Sequence, residues 1–330
     1  LKWTTIYQPE QGATMEYQII VTDSGFPSHE PENAVLAEVG GVRKVQWADE
    51  DELILNVQAA DALLVQWAPI TKRVIDALDV CRIIVRYGIG YDNIDLVAAA
   101  AKGIVVCNVP DYCVEEVADH TLALALAALR QIPETDRNIR NGHWRILLPR
   151  PVAPFSQLAF CLAGFGRIAR EVAKRAMGIG FRVSAYDPFV PPQTMRDFGV
   201  EPLTREELFA GADVLSLHLP LNEATKHVIN ENSLQVMKRT ALIVNTSRGG
   251  LVHADALAAG ISTGEIWGAA LDVFEDEPLP QNHVLRETPG VILTSHVAWY
   301  SSLSVPKLQV KAAEEVLRFL TGQVVANQVG

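Results

Sequence analysis

Short apolar runs alternate with longer stretches of mixed polarity along most of this chain. In the first third, YQIIVT (Tyr17–Thr22), ALLVQW (Ala62–Trp67), RIIVRY (Arg82–Tyr87) and IVVCN (Ile104–Asn108) are rich in β-branched residues and almost continuously apolar. A half-exposed strand would alternate apolar and polar positions, so these runs predict parallel strands covered on both faces. The same signature recurs at Ala159–Ala163, Phe181–Tyr186, Asp213–His218, Ala241–Asn245, Trp267–Leu271 and Val291–Ser295. Strands separated by helical stretches in this way predict an α/β fold with doubly wound parallel sheets. An Ala- and Leu-rich helix over Val114–Arg130 is expected to bridge two domains. The proline-bearing, linker-like stretch Leu147–Ser156 follows it, and a helix of apolar residues at helical spacing is expected over about Leu303–Leu320.

Composition sets the limits. A chain of 330 residues is longer than one domain comfortably supports, and a hydrophobic fraction of 49% supplies two cores. The excess of acidic over basic residues gives a formal charge of −11, which repels a phosphate backbone and makes nucleic acid a poor partner. Cys81, Cys107, Cys113 and Cys161 form no C-x-x-C pair, and no His/Cys cluster has ligand spacing. The expectation is reduced, mostly buried thiols in a cytoplasmic protein without a metal. The apolar stretch Leu122–Leu129 is too short to cross a bilayer, so no membrane association is expected. Residues 1–14, polar and upstream of Met15, read as an extension outside the fold.

The stretch AFCLAGFGRIAR places Gly164, Gly166 and Ala169 in a G-x-G-x-x-A arrangement after a strand and at the start of a helix. Gly164 permits a tight turn, Gly166 lets a pyrophosphate approach the backbone, and Ala169 keeps helix and sheet close. The helix N-terminus favours the negative charge. Asp187 follows the next strand, 21 residues after Gly166. A carboxylate there accepts hydrogen bonds from ribose hydroxyls and repels a 2′-phosphate, so the motif predicts NAD over NADP. The alternative is a plain glycine turn followed by a surface aspartate. Phe160, bulky at a strand position near the turn, is consistent with core packing.

Arg248 in NTSRGG, Glu277 in DVFEDEP and His296 in TSHVAWYS each lie just beyond a predicted parallel strand, where such sheets line their ligand crevice. Spacing alone does not show that they converge. These segments, with RYGIGYDNID (Arg86–Asp95), VADHTLAL (Val117–Leu124) and GAALDVFEDEPL (Gly268–Leu279), resemble the D-isomer-specific 2-hydroxyacid dehydrogenase family over nearly the whole chain. The ending AWYS (Ala298–Ser301) further resembles its C-terminal-binding-protein branch, which includes transcriptional corepressors and bacterial dehydrogenase-like proteins.

The resemblance implies two domains with a cleft between them. One is a Rossmann NAD-binding domain over 113–301; the other is a flavodoxin-like substrate domain over 15–112 and 302–330. The implied reaction moves a hydride between NAD and a small D-2-hydroxy acid or its 2-keto partner, without a metal. His296 would serve as acid and base, Glu277 would orient its ring, and Arg248 would hold the substrate carboxylate or polarise its carbonyl. Gly88, Ile89 and Gly90 would offer backbone amides to the substrate, with Arg86 either adding a charge there or making a structural pair. Trp299 would be a pocket wall or a packing residue.

On the cofactor side the resemblance implicates Thr121, Gly164, Phe165, Gly166, Arg167, Ile168, Ala169 and Asp187. It adds His218, Leu219, Pro220, Thr225, Thr246, Ser247, Arg248, Asp272 and His296, with Asp272 receiving the nicotinamide carboxamide. A homodimer is the family expectation. His120 reads as structural, and His29, His143, His227, His253 and His283 read as solvated. The competing function is an NAD-sensing, corepressor-like scaffold with little turnover. Among enzymes of this fold the sequence does not choose between phosphoglycerate, glyoxylate, hydroxypyruvate, formate or phosphite.

Overall fold

The computed structural model describes residues 16–148 and 150–330; Met15 and the expected extension lie outside them. The described chain divides into two compact units. The first comprises the residues up to Tyr112 together with Ser301–Gly330, and the second comprises Cys113–Tyr300.

In the first unit, β1 (Ile19–Val21), β2 (Val42–Lys44), β3 (Ala62–Val65), β4 (Ile83–Arg86) and β5 (Val105–Cys107) run parallel in the order β2-β1-β3-β4-β5. The predicted apolar runs form β1, β3, β4 and β5. The strand β2 went unforeseen because its sequence, VRK, is mostly exposed at the sheet edge and pairs only with β1. An edge strand needs no continuous apolar face. Helices begin where a side chain can cap them: Asp49 before Glu50–Val57, Thr71 before Lys72–Ala77 and Asp95 before Leu96–Lys102.

The helix Ser304–Leu320 starts within a residue of its expected position and packs against the helix Glu30–Leu36. A buried carboxylate joins them. Glu32 is fully buried and accepts hydrogen bonds from Tyr87 Oη at 2.7 Å and Gln309 Nε2 at 2.8 Å, with His29 Nδ1 at 3.1 Å.

The second unit holds β6 (Ala159–Ala163), β7 (Arg182–Tyr186), β8 (Glu201–Pro202), β9 (Val214–Leu217), β10 (Leu242–Asn245), β11 (Gly268–Leu271) and β12 (Val291–Leu293). All are parallel, in the order β8-β7-β6-β9-β10-β11-β12. This is the doubly wound order with the switch point between β6 and β9. Successive side chains enter opposite cores: Cys161 and Ala163 join one cluster, Phe160 and Leu162 the other. Six of the seven strands are those predicted; β8 is a two-residue edge strand ending in proline. Finally β13 (Gln328–Val329) returns to the first sheet and pairs antiparallel with β5.

The helix Val114–Leu129 belongs to the second unit, packed on the helix Arg167–Ile179 and on β10 and β11. A second helix, Ile132–Arg140, follows after Gln131, whose φ of 53° breaks the first. The four cysteines are buried, and burial pushes the thiols of Cys81, Cys107 and Cys161 up to about 12, so they stay protonated. No helix among the described residues is long and apolar enough to cross a membrane.

Replacing Gln309 with Leu strands one oxygen of the buried Glu32 without that donor. Urea unfolding should show a loss of about 1–3 kcal/mol, and an unchanged midpoint would refute the role given to this contact.

Candidate active site

Because every strand of the second sheet is parallel, the loops after β6, β7, β9, β10, β11 and β12 emerge at one edge. Each expected site residue of this unit except Thr121, which a hydroxyl contact ties to Thr246, lies on one of these loops or in the helix turn that follows. The loop after β6 turns at Gly164, with φ of 95°, where an added Cβ would lie 2.5 Å from the carbonyl oxygen of His218. Gly166 then caps the helix Arg167–Ile179 without a side-chain acceptor, and nothing lies within 4 Å of where its Cβ would be. Its open approach and the uncapped amides of Arg167, Ile168 and Ala169 suit an anionic pyrophosphate. Ala169 is fully buried against the sheet, and Phe160 is likewise core, edge-on to Phe181.

Asp187 holds this turn. Its carboxylate accepts the amide of Phe165 at 2.8 Å and that of Phe189 at 2.9 Å. Ionised carboxylate oxygens have further lone pairs, so these bonds leave capacity for ribose hydroxyls. After β9, His218 and Leu219 pack beside Gly164, and the hydroxyl of Thr225 donates to the Pro220 carbonyl at 2.6 Å. Burial lowers the His218 imidazole to about 4, and its Nε2 sits 2.9 Å from Ser216 Oγ. Thr121, on the helix Val114–Leu129, meets Thr246 hydroxyl to hydroxyl at 2.8 Å. Ser247 Oγ donates to the Leu217 carbonyl at 2.7 Å.

The turn carrying Arg248 is shaped from two sides. Asn245 donates its side-chain amide to the Arg248 carbonyl at 2.8 Å and accepts the Ser247 amide at 3.0 Å. Gly249 lies so close to the next loop that a Cβ there would stand 1.8 Å from the backbone carbon of Phe274. That loop carries Glu277, whose Oε1 accepts the Phe274 amide at 2.9 Å and whose Oε2 meets His296 Nδ1 at 2.6 Å. Burial pushes the Glu277 carboxyl up, but the His296 hydrogen bond and charge, the Phe274 amide and the Arg248 charge outweigh it and hold it below its usual value. Glu277 is therefore a carboxylate at neutral pH.

His296 itself has a left-handed backbone, φ of 55°, uncommon for a residue with a side chain. Four contacts define it. Its amide donates to the Asp272 carbonyl at 2.7 Å, its carbonyl accepts Trp299 Nε1 at 2.8 Å, and Glu277 holds Nδ1. The fourth is indirect: the fully buried Asp272 carboxylate accepts Thr294 Oγ1 at 2.5 Å and the amides of Val297 and Ala298 at 3.0 and 2.9 Å. Asp272 thus turns its oxygens to the His296 loop. His120 Nε2, 3.1 Å from Thr294 Oγ1 and 3.6 Å from Asp272 Oδ1, completes that cluster.

In the first unit, Arg86 ends β4 and Gly88 follows with φ of 144°. The Gly88 carbonyl accepts the Val109 amide, and the Ile89 carbonyl accepts Asn108 Nδ2 at 2.7 Å, which fixes the turn through Gly90 at the carboxyl end of this sheet. No group of three or more metal-ligating side chains occurs among the described residues.

The sequence reading missed Asn245, Gly249 and Phe274 as supports of the site. The glycine doublet after Arg248 was the available signal, since such a pair marks a close backbone approach. It also left as solvated four histidines that are engaged. His29 contacts Glu32 and Ser24; His253 and His283 accept the amides of Ala256 and Leu285; and His227 meets Glu275.

Gly249→Ala forces Phe274 aside, so chemical unfolding should show a loss of about 1–3 kcal/mol, typical of overpacking. A variant as stable as the wild type would contradict the close approach.

Comparison with known proteins places this geometry. Residues 122–298 match the D-isomer specific 2-hydroxyacid dehydrogenase, NAD binding domain. A glyoxylate reductase of Korarchaeum cryptofilum is 38% identical over 86% of this chain and 88% of its own length. A D-3-phosphoglycerate dehydrogenase of Methanocaldococcus jannaschii is 36% identical over 94% of this chain, which spans only 59% of that protein's length. Among solved structures, D-lactate dehydrogenase of Aquifex aeolicus, complexed with NAD and lactic acid, superposes with a TM-score of 0.86 at 25% identity, covering 94% of this chain and 99% of its own. The glycine turn, the sheet order and these matches agree on an NAD-binding unit, and the chain belongs to the D-isomer specific 2-hydroxyacid dehydrogenase family.

Proposed function

We propose that this protein transfers a hydride between NAD and a small D-2-hydroxy acid or its 2-keto partner. The observation that carries the reading is the 2.6 Å contact of His296 Nδ1 with Glu277, on a loop pressed against the turn of Arg248. A carboxylate on Nδ1 fixes the ring and leaves Nε2 to hand a proton to the substrate oxygen or take it back. Arg248 brings a permanent charge and a planar fork suited to a carboxylate or a developing alkoxide. NADH, when bound, supplies the hydride. The helix N-terminus at Gly166 holds its pyrophosphate, Asp187 its ribose, and the segments at Thr121, Thr225, Thr246 and Asp272 flank it. Gly88, Ile89 and Gly90, with Arg86, are the residues that the family resemblance gives to a substrate carboxylate, and Trp299 is the one it gives to a pocket wall.

Positioning of this kind supplies roughly 7–11 kcal/mol in well-oriented reactions, so the reaction needs no strong acid. The relatives named glyoxylate reductase and phosphoglycerate dehydrogenase favour a short, anionic substrate. The AWYS segment that resembles the corepressor branch fits an enzyme as well, since Trp299 bonds the carbonyl of His296. A homodimer accords with the side chains of Trp144, Ile146 and Leu147, each more than 80% exposed on the second unit.

NADH oxidation across glyoxylate, hydroxypyruvate and other short 2-keto acids tests the reading, alongside 3-phosphoglycerate oxidation with NAD. Turnover of at least one substrate is expected, with NADH preferred to NADPH. Tight NAD binding without turnover on any of them would favour a scaffold, and better efficiency with NADPH would remove Asp187 from its role.

His296→Ala should lower kcat by about 10²–10⁴-fold with little change in NADH affinity. Arg248→Lys should also lose activity despite keeping its charge, because a point charge cannot reproduce the fork. Near-normal turnover in either variant removes that residue from the mechanism.

A further inference from the structure

His227 lies on the loop after β9, outside every role given so far. Its Nε2 meets Glu275 Oε1 at 2.5 Å, and its amide donates to the Gly250 carbonyl at 2.8 Å. These two contacts reach the two turns that matter for Glu277 and Arg248. Gly250 is two residues past Arg248. Glu275 lies between Phe274, whose amide binds Glu277, and Glu277 itself. The Glu275 backbone nitrogen also stands 2.4 Å from where a Cβ on Gly249 would be, so both turns meet at this point.

The histidine is held in place to do this. Its backbone is left-handed, φ of 50°, a conformation uncommon for a residue with a side chain. Its ring stands edge-on to that of His253, with centroids 4.9 Å apart. His253 is itself fixed, since its Nδ1 accepts the Ala256 amide at the start of the helix Ala254–Thr263. The His227–Glu275 contact is part-exposed and contributes little to stability, so its strength does not account for the left-handed backbone.

We propose that His227 is a positioning residue for the Glu277–His296 pair, tying the Arg248 turn to the Glu277 turn through Gly250 and Glu275. Loss of the tie lets the Glu277 loop drift from the imidazole while the glycine turn after β6, on another strand, stays intact. Only the kinetic part of the test rests on the hydride-transfer reading.

The direct readout is the low-field NMR signal of the His296 Nδ1 proton in its hydrogen bond to Glu277, recorded without substrate. In His227→Ala and in Glu275→Ala this signal should move upfield or broaden away, and His227→Gln, which keeps a donor towards Glu275, should restore it. Kinetically, His227→Ala should lower kcat about 10-fold or more while the KM for the keto acid stays within about 2-fold. An unchanged proton signal in folded His227→Ala and Glu275→Ala overturns the proposal, as does weakened NADH binding with the signal intact. Should His227→Ala not fold, Glu275→Ala decides alone, because it leaves the His227 backbone in place. A wild type that turns over no keto acid sinks the reaction assigned above, while the proton signal still decides the role of His227.

Discussion

The Asp272 carboxylate, fully buried at the end of β11, is the constraint on which the His296 loop depends. A polar group removed from water must be met by hydrogen-bond partners, and here they are the Thr294 hydroxyl and the amides of Val297 and Ala298. These three hydrogen bonds bend the chain after β12 around one side chain. The Asp272 carbonyl then takes the His296 amide. The left-handed backbone of His296 follows from a loop anchored on both sides of it, and its cost is met by contacts that leave the ring one orientation towards Glu277.

A second constraint sets Arg248 and Glu277 side by side. Gly249 has no room for a side chain because the Phe274 backbone passes where one would stand. The Glu277 carboxyl stays ionised in spite of burial chiefly through the His296 hydrogen bond and charge, and the closeness of the two turns lets the Phe274 amide and the Arg248 charge add to it. Charge and packing support each other here: a looser contact would weaken the field at Glu277 and, through it, the orientation of the imidazole.

Much of this architecture was legible in the sequence because two-sided burial demands continuous apolar runs. β6, β7 and β9 to β11 lie inside the second sheet, and their sequences show it; the edge strand β12, VIL, was legible because it too is wholly apolar. The edge strands β2, β8 and β13 have one neighbour each and correspondingly polar or minimal sequences, so no pattern announced them. The G-x-G-x-x-A turn was legible because its chemistry is local. Asp272 was read for a ligand contact, and nothing in DVFEDEP reveals that its oxygens serve residues 22 to 26 positions later. The Asp187 carboxylate binding the amide of Phe165 was hidden for the same reason, since that bond joins two strands. Helix propensity did mark Val114–Leu129, but which unit it packs on is a tertiary fact.

Two imidazoles stand at strand ends of the second sheet, and their surroundings separate them. His218 is desolvated, lies beside a neutral serine hydroxyl, and is lowered to about 4. It is uncharged at neutral pH and has no proton to spare from a cationic state. His296 instead has a carboxylate on one nitrogen and partial access to solvent. The same side chain is thus a desolvated, neutral ring beside the glycine turn in one place and a ring held by a carboxylate in the other. Burial sets His218 apart, and a glutamate delivered from the loop after β11 sets His296 apart.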